Sequence, residues 1–140
     1  MYKVVENHHG RLLSCCQNPD FPESFRVEYQ LNEWVKPVVP KTKLFLFEDF
    51  ESAGRLAWKL TRSFYSNATI LIFPCEARGV EKPPREIASP PLIKCFWEMR
   101  NELCSDEYMP TPEGTLWADE ILLLPPTDSQ LARWRLNHHE

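Results

Sequence analysis

Glycine is scarce in this 140-residue chain: there are four, Gly10, Gly54, Gly79 and Gly114, and no two lie close together. A phosphate-cradling loop and a dinucleotide fingerprint both need closely spaced glycines to bring backbone N–H groups up to an anion. P-loop nucleotide hydrolases and Rossmann-type NAD-dependent dehydrogenases are excluded on that ground. Long apolar runs are missing as well. No stretch approaches the roughly 18 apolar residues of a spanning helix, and Met1-Tyr2-Lys3-Val4-Val5-Glu6 turns polar too soon for a signal peptide. The expected setting is therefore cytoplasmic, with no membrane partner.

An excess of positive charge is also absent. Sixteen basic residues face twenty acidic ones, a formal net charge of −4, which argues against nucleic acid as a partner bound through counterion release. The four histidines fall in two adjacent pairs, His8-His9 in a polar connector and His138-His139 at the end. Neither place suits a rigid general base, and no nucleophile elbow is present. Five cysteines, an odd count without regular spacing, predict free thiols rather than a disulfide framework. His8, His9, Cys15 and Cys16 offer zinc-ligating atoms, but adjacent side chains on a strand point to opposite faces. No metal site is expected.

What is present is the composition of one soluble globular domain, 43% apolar and 26% charged. Residues 2–6 and 11–16 read as strands of a hairpin joined by Asn7-His8-His9-Gly10. Phe25 to Leu31 alternates, with Phe25, Val27, Tyr29 and Leu31 on one face and Arg26, Glu28 and Gln30 on the other. Leu44-Phe45-Leu46-Phe47 and Ile70-Leu71-Ile72-Phe73 are apolar on both faces and belong inside a sheet or under a helix. Pro74 limits pairing of the second run on one side.

Between those runs, Asp49 can cap a helix whose apolar stripe is Phe50, Ala53, Leu56, Ala57, Leu60 and Phe64. Four prolines in the stretch from Glu81 through Pro91 mark an extended loop. Ser89-Pro90 then opens a second, shorter helix with Leu92, Ile93, Phe96, Trp97 and Leu103 on its stripe. Thr115 to Leu124 is the last strand, and Thr127 to Gln130 has capping-box spacing for a tail helix carrying Leu131 and Trp134. The pattern predicts an α+β fold: a mainly antiparallel sheet with one principal helix packed on it and a second shorter helix, as a single domain over 1–126 with a helical tail at 127–140.

Two features carry candidate chemistry. On a regular strand, Asp119 shares a face with Trp117, Ile121 and Leu123, while Glu120 shares one with Leu116, Ala118, Leu122 and Leu124. Either one carboxylate abuts an apolar face, where burial would raise its pKa and poise it as an acid or base, or the pair sits at a rim or bulge open to water. The second feature is aromatic. Trp58, Trp97, Phe45, Phe47, Phe50 and Phe96 fall in or beside the stripes and read as core. Trp34, in Asn32-Glu33-Trp34-Val35-Lys36-Pro37, is flanked by charges and a proline. It either anchors a partner or folds over a sheet edge. Pro83-Pro84-Arg85 either offers an extended ligand segment or stiffens a connection.

Asp119-Glu120-Ile121-Leu122-Leu123-Leu124-Pro125-Pro126-Thr127 resembles the end of the arginine-serine-glutamate class of ADP-ribosyltransferases, in which a catalytic glutamate directly precedes an apolar strand ending in proline. The resemblance implies an NAD-using enzyme or its inactive relative, with Glu120 as that glutamate, Asp119 beside it and Arg11 as the NAD-binding arginine. Most of the chain, including Gly10-Arg11-Leu12-Leu13-Ser14, Glu33-Trp34-Val35-Lys36-Pro37 and Gly114-Thr115-Leu116, is similar to a set of small uncharacterised proteins from viruses and microbes. That similarity implies one compact domain and assigns no site. With nucleotide loops and a placed base missing, the leading expectation is a non-catalytic module, without a cofactor, that binds a protein partner through Trp34, through Pro83, Pro84 and Arg85, or through an exposed sheet edge.

Overall fold

A computed structural model of the chain describes residues 1–14, 26–38, 42–61, 69–84, 86–88 and 108–127. In chain order its elements are β1 (Tyr2–His8), β2 (Arg11–Ser14), β3 (Glu28–Tyr29), β4 (Trp34–Val35), β5 (Leu44–Phe47), α1 (Phe50–Thr61), β6 (Thr69–Arg78), β7 (Glu86–Ala88), β8 (Tyr108–Pro110), β9 (Thr115–Ala118) and β10 (Glu120–Leu123).

The opening hairpin forms, with a tighter turn than its polar connector suggests. Pairing continues to His8↔Arg11, so only His9 and Gly10 are left in the loop. Their φ angles of 54° and 92° are those of a type I′ turn, whose twist matches the strands it joins. The Asn7 side-chain oxygen accepts the Gly10 N–H at 2.9 Å.

The main sheet runs β3-β2-β1-β6-β10-β4, and its named pairs are antiparallel. Its two end strands are consecutive in the chain. They are joined through residues 30–33, where the Glu33 N–H donates to the Gln30 carbonyl at 3.4 Å and Asn32 takes φ 65°. One run of chain thus serves β2 with its first half and β10 with its second, and the sheet curls nearly shut. A second circuit reinforces the closure. β5 meets β1 at Tyr2↔Phe47 and pairs along its length with β9, which runs on into β10. β6 is divided in the same way: Thr69 to Pro74 pair with β1, and Cys75 to Arg78 with β10. The Pro74 carbonyl accepts the Leu124 N–H at 2.9 Å, one residue past the end of β10. The proline's missing N–H therefore falls at the outermost rung, where it disturbs pairing least.

The α+β fold read from the sequence, a sheet bearing one principal and one shorter helix, is overturned. The body is a nearly closed, barrel-like antiparallel sheet, and α1 is the single helix among the described residues. Period-two patterning reports which faces are buried, but whether a sheet's ends meet is decided by non-local pairing and bends. Closure lets the strands bury their own inner face, a role the sequence reading gave to helical cover. Residues 92–103, expected to form the second helix, and the tail from 128 onward lie outside the described residues.

The barrel interior holds Val5, Val27, Tyr29, Leu46, Cys75, Ile121 and Leu123. Lys3 shares this inner face with Val5 and is only 8% exposed. Its Nζ donates to the Phe45 carbonyl at 2.5 Å and stands 5.5 Å from the Tyr29 ring centroid. The edge of β1 passes from β5 at Tyr2 to β2 at Val5. Lys3 spans the split between them and supplies the donor that a missing rung would have given.

On the outside, Phe50, Ala53 and Ala57 of α1 cover Val4, Ile70 and Ile72. Asp49 caps the helix as expected, accepting the Ser52 N–H at 2.7 Å. That hydrogen bond holds its carboxyl below the ordinary carboxylate value against partial desolvation. Trp58 does not belong to the core: at 45% exposure it follows Ala57 around the helix and points away from the sheet. Phe64, Trp97 and Phe96 lie outside the described residues. No helix among the described residues is long and apolar enough to cross a membrane.

Candidate binding face

β9 and β10 would be one strand but for Asp119. The register against the other chain segment is continuous, from Cys75↔Leu123 to Arg78↔Glu120 and on to Glu81↔Trp117. Both segments bend together between those last two rungs. Gly79 takes φ 67°, and a Cβ built on it would lie 2.1 Å from an Asp119 carboxylate oxygen. The Asp119 N–H donates to the Arg78 carbonyl at 2.9 Å. The bend acts as a bulge does and shifts the alternation by one residue. Ala118 and Ile121 both point inward, and the two carboxylates between them do not.

Asp119 is 57% exposed and ion-paired with Lys43, while Glu120 is 21% exposed. Of the two arrangements that the sequence left open, the chain adopts the one that brings both acids to the surface.

Glu120 lies on the outer face of β10 within two short rows that cross three strands. The register Ile121↔Val35 brings Lys36 alongside Glu120, and Arg78 flanks it from β6, giving the row Lys36-Glu120-Arg78. The neighbouring row is Trp34-Leu122-Glu76, from Leu122↔Trp34 and Leu122↔Glu76. Diagonally across both, the Arg78 guanidinium lies 3.8 Å from the centroid of the Trp34 ring, a cation–π stack. Arg78 Nη1 stands 3.6 Å from one Glu120 oxygen and Lys36 Nζ stands 4.0 Å from the other. Trp34 and Leu122 are half-buried. Among the described residues α1 packs on β1, the first half of β6 and Phe47 of β5, so this far corner lies apart from its contacts.

The remaining sequence candidates sit elsewhere. Arg11, beside the β1–β2 turn, donates to Glu28 Oε1 from Nε at 2.8 Å and from Nη2 at 2.6 Å. In the sheet order β1 and β6 lie between its strand and that of Glu120, and the two residues keep different partners. Pro83 is half-buried and Pro84 exposed. The Pro84 carbonyl accepts the Thr111 hydroxyl at 2.5 Å, which ties the loop to the residue that follows β8. Arg85 lies outside the described residues, as do Cys15 and Cys16. Burial pushes the Cys75 thiol up to about 11, so it stays protonated and unreactive near neutrality. Among the described residues no three His, Cys, Asp or Glu side chains are grouped to hold a metal ion.

Sequence reasoning missed Arg78, Lys36 and Leu122 as members of one face. The signal was the alternation Pro74, Glu76, Arg78 beyond the apolar run, which continues the strand through the proline. No protein-family model matches the chain, nor does any curated protein or solved structure. The functional reading rests on the geometry of this face.

Proposed function

We propose that this chain is a non-catalytic, cytoplasmic protein-interaction module whose binding surface is the corner formed by β4, β10 and the second half of β6. The observation that carries the reading is the Arg78 guanidinium stacked on Trp34 at 3.8 Å, on an outer face beyond the reach of α1. Tryptophan and arginine dominate the energetics of protein interfaces because each combines a large apolar contact with directed hydrogen bonding. The stack restrains both side chains before a partner arrives, which lowers the ordering cost of association. The groups an ADP-ribosyltransferase would bring to NAD have no comparable support. Arg11 is engaged by Glu28, and Asp119 by Lys43.

The test compares Trp34→Ala and Arg78→Ala with Lys59→Ala, which alters the exposed side of α1. Each purified variant is used to isolate a stoichiometric complex from cell extract, with its melting temperature checked beforehand. Loss of the complex for the first two, and its retention for the third, is expected. Equal recovery with all three would remove this face from the function.

A further inference from the structure

The geometry points to an acidic segment of the partner as the occupant of this face: a carboxylate meeting Lys36 and Arg78 on their solvent side, above Glu120, with a neighbouring apolar side chain resting on Trp34 and Leu122. This inference rests on the module reading above and adds the partner's chemistry.

The argument begins with the spacing of the row. Glu120 is the least exposed of its three members at 21%, while the Lys36 and Arg78 side chains are 75% and 59% exposed. Their separations from Glu120, 4.0 and 3.6 Å, allow attraction but exceed the roughly 2.7–3.2 Å of an N–H···O hydrogen bond. The half-buried acid thus holds two cations in position without using up their donors. Contact with the Trp34 ring at 3.8 Å restrains the Arg78 guanidinium, whose planar set of N–H donors can meet a carboxylate as a fork. Lys36 adds a rotatable charge on the opposite side.

The second row gives the site a direction. Leu122 lies between Trp34 and Glu76, so apolar contact is available at one end and a like charge repels an acid at the other. The first row carries two cations against one anion and the second only the Glu76 anion, so a bound carboxylate is directed to the Lys36–Arg78 row and the adjacent apolar side chain to Trp34. A net charge of −4 on the whole chain disfavours a long polyanion such as single-stranded nucleic acid, which would extend beyond this corner.

The test follows the Trp34 indole N–H resonance, assigned from its disappearance in Trp34→Phe, during titration with three probes. These are a short soluble peptide with two aspartates around a leucine, the same peptide with lysines for aspartates, and oligothymidylate. The aspartate peptide is expected to move the resonance saturably, and added salt to weaken the effect. Arg78→Gln and Lys36→Gln are each expected to weaken binding by roughly tenfold, and Glu76→Gln to strengthen it by about twofold. Melting curves confirm that these surface variants fold. An equal response to the lysine peptide overturns the acidic preference and leaves the module reading standing. A stronger response to oligothymidylate overturns the protein-segment assignment. Silence to all three probes, with complex recovery still lost in Trp34→Ala, overturns this inference alone; silence with recovery intact overturns both readings.

Discussion

Ala118 and Ile121, separated by two residues where regular alternation would allow one or three, both point into the barrel and are fully buried. Asp119 and Glu120 between them are turned outward together. One goes to Lys43 at the rim, and the other goes to the row between Lys36 and Arg78. The surface that gives this protein its candidate function is thus a by-product of how the sheet closes. A strand without the bend would have pushed one acid toward the core and dissolved the row.

The bend depends on Gly79, so Gly79→Ala should be disproportionately destabilising for an exposed position. Its φ of 67° is strained for a residue with a Cβ, and that Cβ would meet the Asp119 carboxylate at 2.1 Å. The left-handed conformation alone costs roughly 1–2 kcal/mol. Pairing it with Asp119→Gly should recover the crowding part and leave the conformational part, a coupling of about 0.5–2 kcal/mol in a double-mutant cycle read by urea denaturation. Strict additivity would mean that the two residues do not meet.

Lys3→Ala should cost about 1–3 kcal/mol, because it removes the hydrogen bond to the Phe45 carbonyl at the split between β5 and β2 and takes a buried stem from the barrel. Hydrogen exchange is the sharper readout. Amides of β5 and β2 should lose protection before those of β6, which keeps both its neighbours. Uniform loss across the sheet would argue against a local role.

Alkaline pH should expose the burial of Cys75. Its thiol is raised from 9.0 to about 11 by desolvation, with the amino terminus and Lys3 pulling weakly the other way. The unfolded chain therefore ionises this group first and binds fewer protons, so stability is unaffected below pH 9 and falls as pH rises from about 9 to about 11, by roughly 2–3 kcal/mol in all. Cys75→Ala should flatten the profile in that window alone. A profile identical to the parent's would assign the alkaline loss to other groups.

How much of this was legible in the sequence follows from the range of the interactions involved. The first hairpin is local: a glycine-bearing turn and short strands settle it, and only the length of the loop was misread. α1 is also local, set by Asp49 as cap and by Phe50, Ala53 and Ala57 on one stripe. Trp58 was misassigned because a large apolar residue beside a stripe looks like part of it. Closure was not legible. It depends on residues 28–35 and 69–78 each serving two different strands, and neither half of such a run carries a mark naming its partner. In the candidate face, Trp34 and Glu120 stood out through their charged and apolar flanks. Arg78 was lost because a proline in a strand reads as its end, while here Pro74 occupies a rung that needed only its carbonyl.

The ADP-ribosyltransferase resemblance makes a claim that the arrangement of Arg11 and Glu120 allows to be tested directly. A dinucleotide held by both would have to draw Arg11 from Glu28, where it makes contacts of 2.6 and 2.8 Å to one carboxylate oxygen, and would have to bridge two strands that β1 and β6 separate in the sheet order. Saturating NAD is therefore expected to leave the melting temperature unchanged. A ligand that binds only the folded chain at a hundred times its dissociation constant would add about 2.7 kcal/mol of stability, a shift of several degrees for a domain of this size. Glu28→Gln sharpens the comparison by loosening Arg11. If NAD still leaves that variant's melting curve where it was, Arg11 is a structural partner of the hairpin edge. If NAD stabilises the variant or the parent, the enzymatic reading returns with Arg11 as its anchor.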